Sequence, residues 1–169
     1  PGVGWYYTNW LTKFSADTSM DTIDIGKNII DDFVSVCSQR CAGQQTTLSI
    51  VDLAELQETL PESFRAFSSD TRKLIKNKEY KTVSGARSSS REFARSTAID
   101  QIDLVHFARL LGSDQGKELS DVLLSAVKYN RTSSNMTNAY GLSVYFPYQK
   151  VSKVDSAAKT YQEIGLDSE

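Results

Sequence analysis

Three side chains set the limits of the chemistry this chain can carry. His106 is the only histidine, and Cys37 and Cys41 are the only cysteines. Any Cys–His or Ser–His relay must therefore use His106, in the stretch Leu104-Val105-His106-Phe107-Ala108. A dyad of His106 with Cys37 or Cys41 would need a thiol in an electropositive, half-exposed setting. Both cysteines instead sit among apolar neighbours, and they read as small buried side chains, with His106 as a helix histidine. Their spacing of four places both thiols on one helix face, which suits neither a disulfide nor, with one histidine, a metal set.

Other chemical patterns are sparse. Gly2 and Gly4 are spaced as G-x-G, but no strand precedes them to make a phosphate loop. Asp31, Asp32, Asp52 and Asp103 are scattered over expected helix caps and helix faces. Arg87, Arg91 and Arg95, preceded by Lys76, Lys78 and Lys81, form the most polarised run. Such a run suits an anion or an acidic partner, although most are solvated loops, which is the expectation here. Asn130-Arg131-Thr132 and Asn135-Met136-Thr137 match the glycosylation sequon. No calcium-loop pattern and no nucleophile elbow occur, so no cofactor is expected and a self-standing α/β hydrolase is disfavoured.

The elements that would position these residues follow from periodicity. Residues 5–14 suit a short helix, and Asp21 is placed to cap a longer one to about residue 38, with Ile25, Ile29, Phe33 and Val36 as its stripe. Residues 46–51 are a β-branched run expected to be a strand. Asp52 then caps a long helix with Leu53, Leu56, Leu60, Phe64, Phe67 and Leu74 on one face, expected to kink or divide at Pro61. Residues 76–98 read as a long polar loop. A helix is expected from Asp100 to the stop at Gly112, and another through Leu119, Val122, Leu123, Ala126 and Val127. Residues 130–138 read as a polar loop, 139–146 as a central strand ended by Pro147, and 151–164 as a last helix.

Whole-chain properties bound the class. The 169 residues fit a single domain over 1–169, with 40% hydrophobic and 24% charged residues as in globular proteins. The net charge of −2 lacks the basic footprint of a nucleic-acid binder. No apolar run approaches the ~20 residues that span a bilayer, so neither nucleic acid nor membrane is an expected partner. The chain starts at Pro1 without a methionine and is expected to be a processed product or a truncated fragment. The two convincing strands both look like interior strands and are far apart in sequence. The chain thus reads as part of a larger α/β unit whose other strands come from elsewhere.

Five stretches in order carry a family resemblance. They are Pro1-Gly2-Val3-Gly4-Trp5-Tyr6-Tyr7, followed by Trp10-Leu11; Thr47-Leu48-Ser49-Ile50-Val51-Asp52-Leu53; Ser90-Arg91-Glu92-Phe93-Ala94; Ile102-Asp103-Leu104-Val105-His106-Phe107-Ala108; and Tyr140-Gly141-Leu142-Ser143-Val144-Tyr145-Phe146-Pro147. Together these resemble the C-terminal part of clostripain-family cysteine peptidases. The resemblance implies the C-terminal part of a caspase-like three-layer α/β/α sheet fold, helix-rich with few strands of its own. It also implies a secreted or cell-envelope bacterial endopeptidase that cuts after basic residues. In that family the catalytic histidine and the Asp-Ala-Cys nucleophile lie upstream of the Pro-Gly-x-Gly-Trp stretch, so no catalytic residue is carried onto this chain. Relatives divide by self-cleavage ahead of the nucleophile, which leaves this chain shorter than a natural heavy chain. Gly4, Trp5 and Tyr6 are the implied substrate-binding residues. Tyr6 stands where relatives carry the aspartate of Gly-Trp-Asp-Tyr, which puts a strong arginine preference in doubt. The expected partners are the N-terminal part of the same peptidase or a second copy, with a peptide or protein as substrate. The alternative is a non-catalytic interaction module that keeps the fold.

Overall fold

The structure is a computed structural model that describes residues 6–147 and 151–165. Helices α1 (Thr8–Ala16) and α2 (Thr22–Arg40) come first, then strand β1 (Thr47–Val51) and helices α3 (Leu53–Lys76) and α4 (Tyr80–Ser89). Strands β2 (Glu92–Phe93) and β3 (Gln101–Asp103) lead into α5 (Leu104–Leu111) and α6 (Asp114–Ala126). Strands β4 (Val127–Thr132) and β5 (Ser143–Tyr145) and helix α7 (Val154–Glu163) complete the described chain. The fold is mixed α/β, rich in helix, with two small sheets.

The helix starts are set by their caps. Asp21 accepts from Asp24 N, Asp52 from Ala54 N and Glu55 N, Asp103 from His106 N and Ser113 from Gly116 N. Each satisfies donors that the first helical turn leaves open. Gly112 ends α5 in the left-handed region at φ 74°, a stop that glycine makes without a Cβ penalty.

Strands depart most from the sequence expectation. Residues 47–51 form β1, close to expectation, but its partner is β4, antiparallel, which takes Val127 from the end of an expected helix and 130–132 from the expected polar loop. Strand β4 mixes exposed Lys128 and Arg131 with half-buried Val127, Tyr129, Asn130 and Thr132, without the apolar–polar alternation that marks a strand in sequence. The expected central strand shrinks to β5 at an edge, because β3 is the middle of the order β2-β3-β5. Gly141 at φ 107° interrupts the extended run ahead of it, and Tyr140 N donates to the Asp103 carboxylate. The stretch 76–98 is not a loop: α4 and β2 occupy much of it, with Val83, Ala86 and Arg87 buried. The helix expected from Asp100 begins only at Leu104, after β3 has taken residues 101–103.

The main core lies between α3, α4, α5 and α6 and the face of β3. Ile102, Val105, Ala108 and Leu119 have no exposed surface, and Phe107 meets Phe67 edge-on at 5.8 Å. On the amphipathic face expected of α3, Leu56, Leu60, Phe64 and Leu74 pack against this core, but Leu53 is 72% exposed. Helix α3 runs through Pro61 without dividing. A smaller cluster of Phe33, Val34 and Cys37 joins α2 to Leu48 of β1. No helix among the described residues is long and apolar enough to cross a membrane.

Candidate functional site

His106 sits in the first turn of α5, directly after the middle strand of the three-stranded sheet. Asp103 fixes that turn from a fully buried position. Its Oδ1 accepts from His106 N at 2.9 Å and its Oδ2 from Tyr140 N at 2.6 Å. Burial pushes the Asp103 carboxyl above its usual range, and the backbone N–H groups around it act in the opposite direction. The imidazole accepts at Nδ1 from Arg91 N at 2.9 Å, so its proton resides on Nε2. Burial, then the charges of Arg91 and Arg109, hold the imidazole below its ordinary pKa. His106 is therefore a neutral ring with one N–H to offer. Acting as a base at Nε2 would require the other tautomer and the loss of the Arg91 bond.

The ring borders a polar pocket of about 230 Å³ shared with Ser88, Ser90, Glu92, Arg95 and Asn138. Arg87 lies beneath, 3% exposed, with its guanidinium on both Glu92 oxygens at 3.3–3.4 Å and 3.5 Å from Asp100. Its Nε donates to Phe146 O at 2.7 Å. The run expected to be a solvated basic loop thus divides by function. Arg87 is a buried tie between α4, β2 and β5, Arg91 binds Thr137, and Arg95 is exposed.

The cysteines take no part in this site. Cys37 is buried in the smaller cluster, where burial and then Cys41 raise its thiol pKa, and both are free. No group of metal-ligating side chains occurs among the described residues. Both sequon asparagines hold backbone carbonyls, Asn130 that of Ala139 and Asn135 that of Gly43, so their amides are engaged.

Of the expected substrate-binding residues, Gly4 and Trp5 lie outside the described residues. Tyr6 packs against Phe33, Val34 and Cys37, and the Arg40 guanidinium stands 4.7 Å from its ring centroid. The residue beside Phe33 is unusual. Asp32 is 8% exposed, with Oδ1 accepting from Asn9 Nδ2 at 2.7 Å and Oδ2 buried without a partner. Trp10 Nε1, on the same helix as Asn9, is a second buried polar atom without a partner. Sequence reasoning placed Asp32 among scattered carboxylates; its position on the buried side of α2, between Ile30 and Phe33, was the signal available.

Comparison with models of known protein families, with curated proteins and with solved structures gave no match. Three of the five stretches that carry the resemblance meet in one sheet: 90–94 holds β2, 102–108 holds most of β3 and the start of α5, and 140–147 holds β5. The stretch 47–53 lies in the other sheet.

Proposed function

We propose that this chain is the C-terminal part of a clostripain-like cysteine endopeptidase that cuts after basic residues. In this reading it supplies strands to a caspase-like three-layer sheet and one wall of the substrate cleft, and the nucleophile and base come from upstream. The observation that carries the reading is Asp32. A buried carboxylate with an open oxygen is costly unless a cation or donor fills it. The basic side chain of a substrate is such a group, and Tyr6 packs against the cluster that holds Phe33, the neighbour of Asp32 in α2. The Tyr6 ring would offer a cation a face of the kind that Arg40 uses, with Gly4 and Trp5 kept as substrate-binding residues by the family resemblance alone.

The chain by itself is expected to show no peptidase activity, since Cys37 is buried with a raised pKa and His106 holds Arg91 through Nδ1. Turnover of arginyl or lysyl peptides by the pure chain, abolished in Cys37→Ala or His106→Ala, would overturn this. The complete protein with its upstream segment should cleave such peptides. Asp32→Asn should then cost about 2–5 kcal/mol of transition-state binding, a fall of roughly 30-fold or more in kcat/KM for arginyl substrates. An unchanged value removes Asp32 from the cleft, and a Tyr6→Asp variant with an unaltered substrate profile removes Tyr6.

A second reading has its own support. An apolar cleft of about 480 Å³ runs along α3 past Leu53, Leu56, Leu60 and Phe64, a surface suited to an interaction module. The complete protein would then lack peptidase activity altogether.

A further inference from the structure

We infer that the Arg95–Ser96 bond is a processing site for an arginine-specific endopeptidase, and that the cut leaves a two-chain molecule still folded together. The inference stands apart from the proposed function, because any endopeptidase of that specificity would serve. Arg95 begins a 3-10 turn, Arg95–Thr97, in the connection between β2 and β3, and its side chain is 84% exposed. Residues 94–97 are all exposed.

The connection is also locally strained. Ala94 at φ 46° and Ala98 at φ 48° flank the turn, with Asp100 at φ 54° just beyond. These are left-handed conformations that a Cβ disfavours. Against this, the turn is closed by Thr97 N to Ala94 O at 2.9 Å, Ala98 N to Arg95 O at 3.2 Å and the Thr97 hydroxyl to Ala94 O at 2.8 Å. An endopeptidase must draw several residues into an extended strand. Opening the turn breaks few bonds and releases the unfavourable φ angles of Ala94 and Ala98, while Asp100 stays held by Arg87 and by Phe146 N.

No other described arginine offers the same. The long connections 41–46 and 133–142 contain no lysine or arginine. Arg91 has both backbone groups engaged, N–H with His106 Nδ1 and C=O with Asp103 N. Lys78 lies in a three-residue turn whose N–H groups bond back to α3. The remaining described arginines are on helices or on β4, and Lys153, which ends the exposed 3-10 turn Val151–Lys153, is not a target of an arginine-specific enzyme.

The structure also says what happens after the cut. Water adds across the bond, its hydroxyl to the Arg95 carbonyl carbon and a proton to Ser96 nitrogen, leaving a carboxylate and an amine. The two pieces interleave throughout. Strand β1 pairs with β4, α3 packs on α6, and Arg87 binds both Asp100 and Phe146 O, each across the cut. The new ends lie at the rim of the His106 pocket, which Arg95 borders.

Timed digestion of the full chain with an arginine-specific endopeptidase at low ratio, followed by intact mass, tests this. The first products should be 1–95 and 96–169, and they should co-elute at the size of the intact chain without denaturant. Arg95→Gln and Ser96→Pro should each slow the first cut at least about tenfold. Proline at 96 blocks cleavage but disfavours the helical conformation of Arg95, so Arg95→Gln, which leaves the turn's backbone alone, is the variant that separates the two effects. A first cut elsewhere, an unchanged rate in both variants, or fragments that separate without denaturant would each overturn the inference. Equal melting temperatures for the variants and the parent guard against a global effect.

Discussion

His106 accepts a hydrogen bond only while its ring is neutral, and stability should therefore depend on pH. Its folded pKa lies below the unfolded value of 6.5, for reasons of burial first and of Arg91 and Arg109 second. At pH values above 6.5 both states are neutral and the full contribution is present. As pH falls through 6.5 the unfolded state takes up a proton first, and stability is lost until the folded pKa is reached. Protonation at Nδ1 also ends the bond from Arg91 N. Urea unfolding at pH 7.5 and pH 5.5 should thus show a drop in the parent that is smaller in His106→Asn, whose side-chain oxygen can still accept from Arg91 N. An equal drop in both proteins would remove His106 as the source.

At the scale of elements, two positions work against the helices that hold them. Pro61 cannot donate to Gln57 O, yet α3 continues, with Pro61 on the exposed side and the Thr59 and Ser63 hydroxyls bonding back to helix carbonyls. The helix does not divide at Pro61, since its face carrying Leu56, Leu60, Phe64 and Phe67 is fixed on α6 and the core around it. Pro61→Ala should stabilise the protein by about 1–2 kcal/mol, the regained helix bond being offset in part by a looser unfolded chain. Gly116 is the opposite case. A Cβ there would stand 2.4 Å from Ala108 O, a rigid backbone atom of α5. Gly116→Ala should destabilise by about 1–3 kcal/mol as α5 and α6 are pushed apart. Both are read as shifts of the urea midpoint at constant slope, and a neutral Gly116→Ala would mean that the two helices slide freely.

For the whole molecule, the sheets are the unfinished part. Among the described residues, strands β1 and β4 form a sheet of two in which each keeps one edge without a ladder partner, and every β1 residue is half-buried rather than buried. Such edges pair readily with other chains. The chain should associate, either with an upstream piece of the same protein or with itself. Sedimentation that shows a monomer over a wide concentration range, with no binding of the upstream piece, would contradict this. The apolar cleft along α3 and the exposed Leu53 add surface that favours the same behaviour.

What the sequence determined was local. Helix caps at Asp21 and Asp52, the stop at Gly112 and the stripes of α2, α3 and α6 follow from neighbours within one or two turns, and residues 46–51 read as a strand on composition alone. The burial of Cys37 was legible for the same reason. Tertiary structure decided what depends on partners distant in the chain. Strand β4 is polar and forms because β1, some eighty residues earlier, offers it a ladder. Segment 139–146 lost half its expected strand because the Asp103 carboxylate took the Tyr140 N–H. Arg87 looked like one more solvated cation in a basic run, and only Phe146 O, Glu92 and Asp100 make its burial affordable. The open oxygen of Asp32 belongs to the same class: the sequence names the carboxylate, but whether its second oxygen meets a partner is settled by how α1 lies on α2.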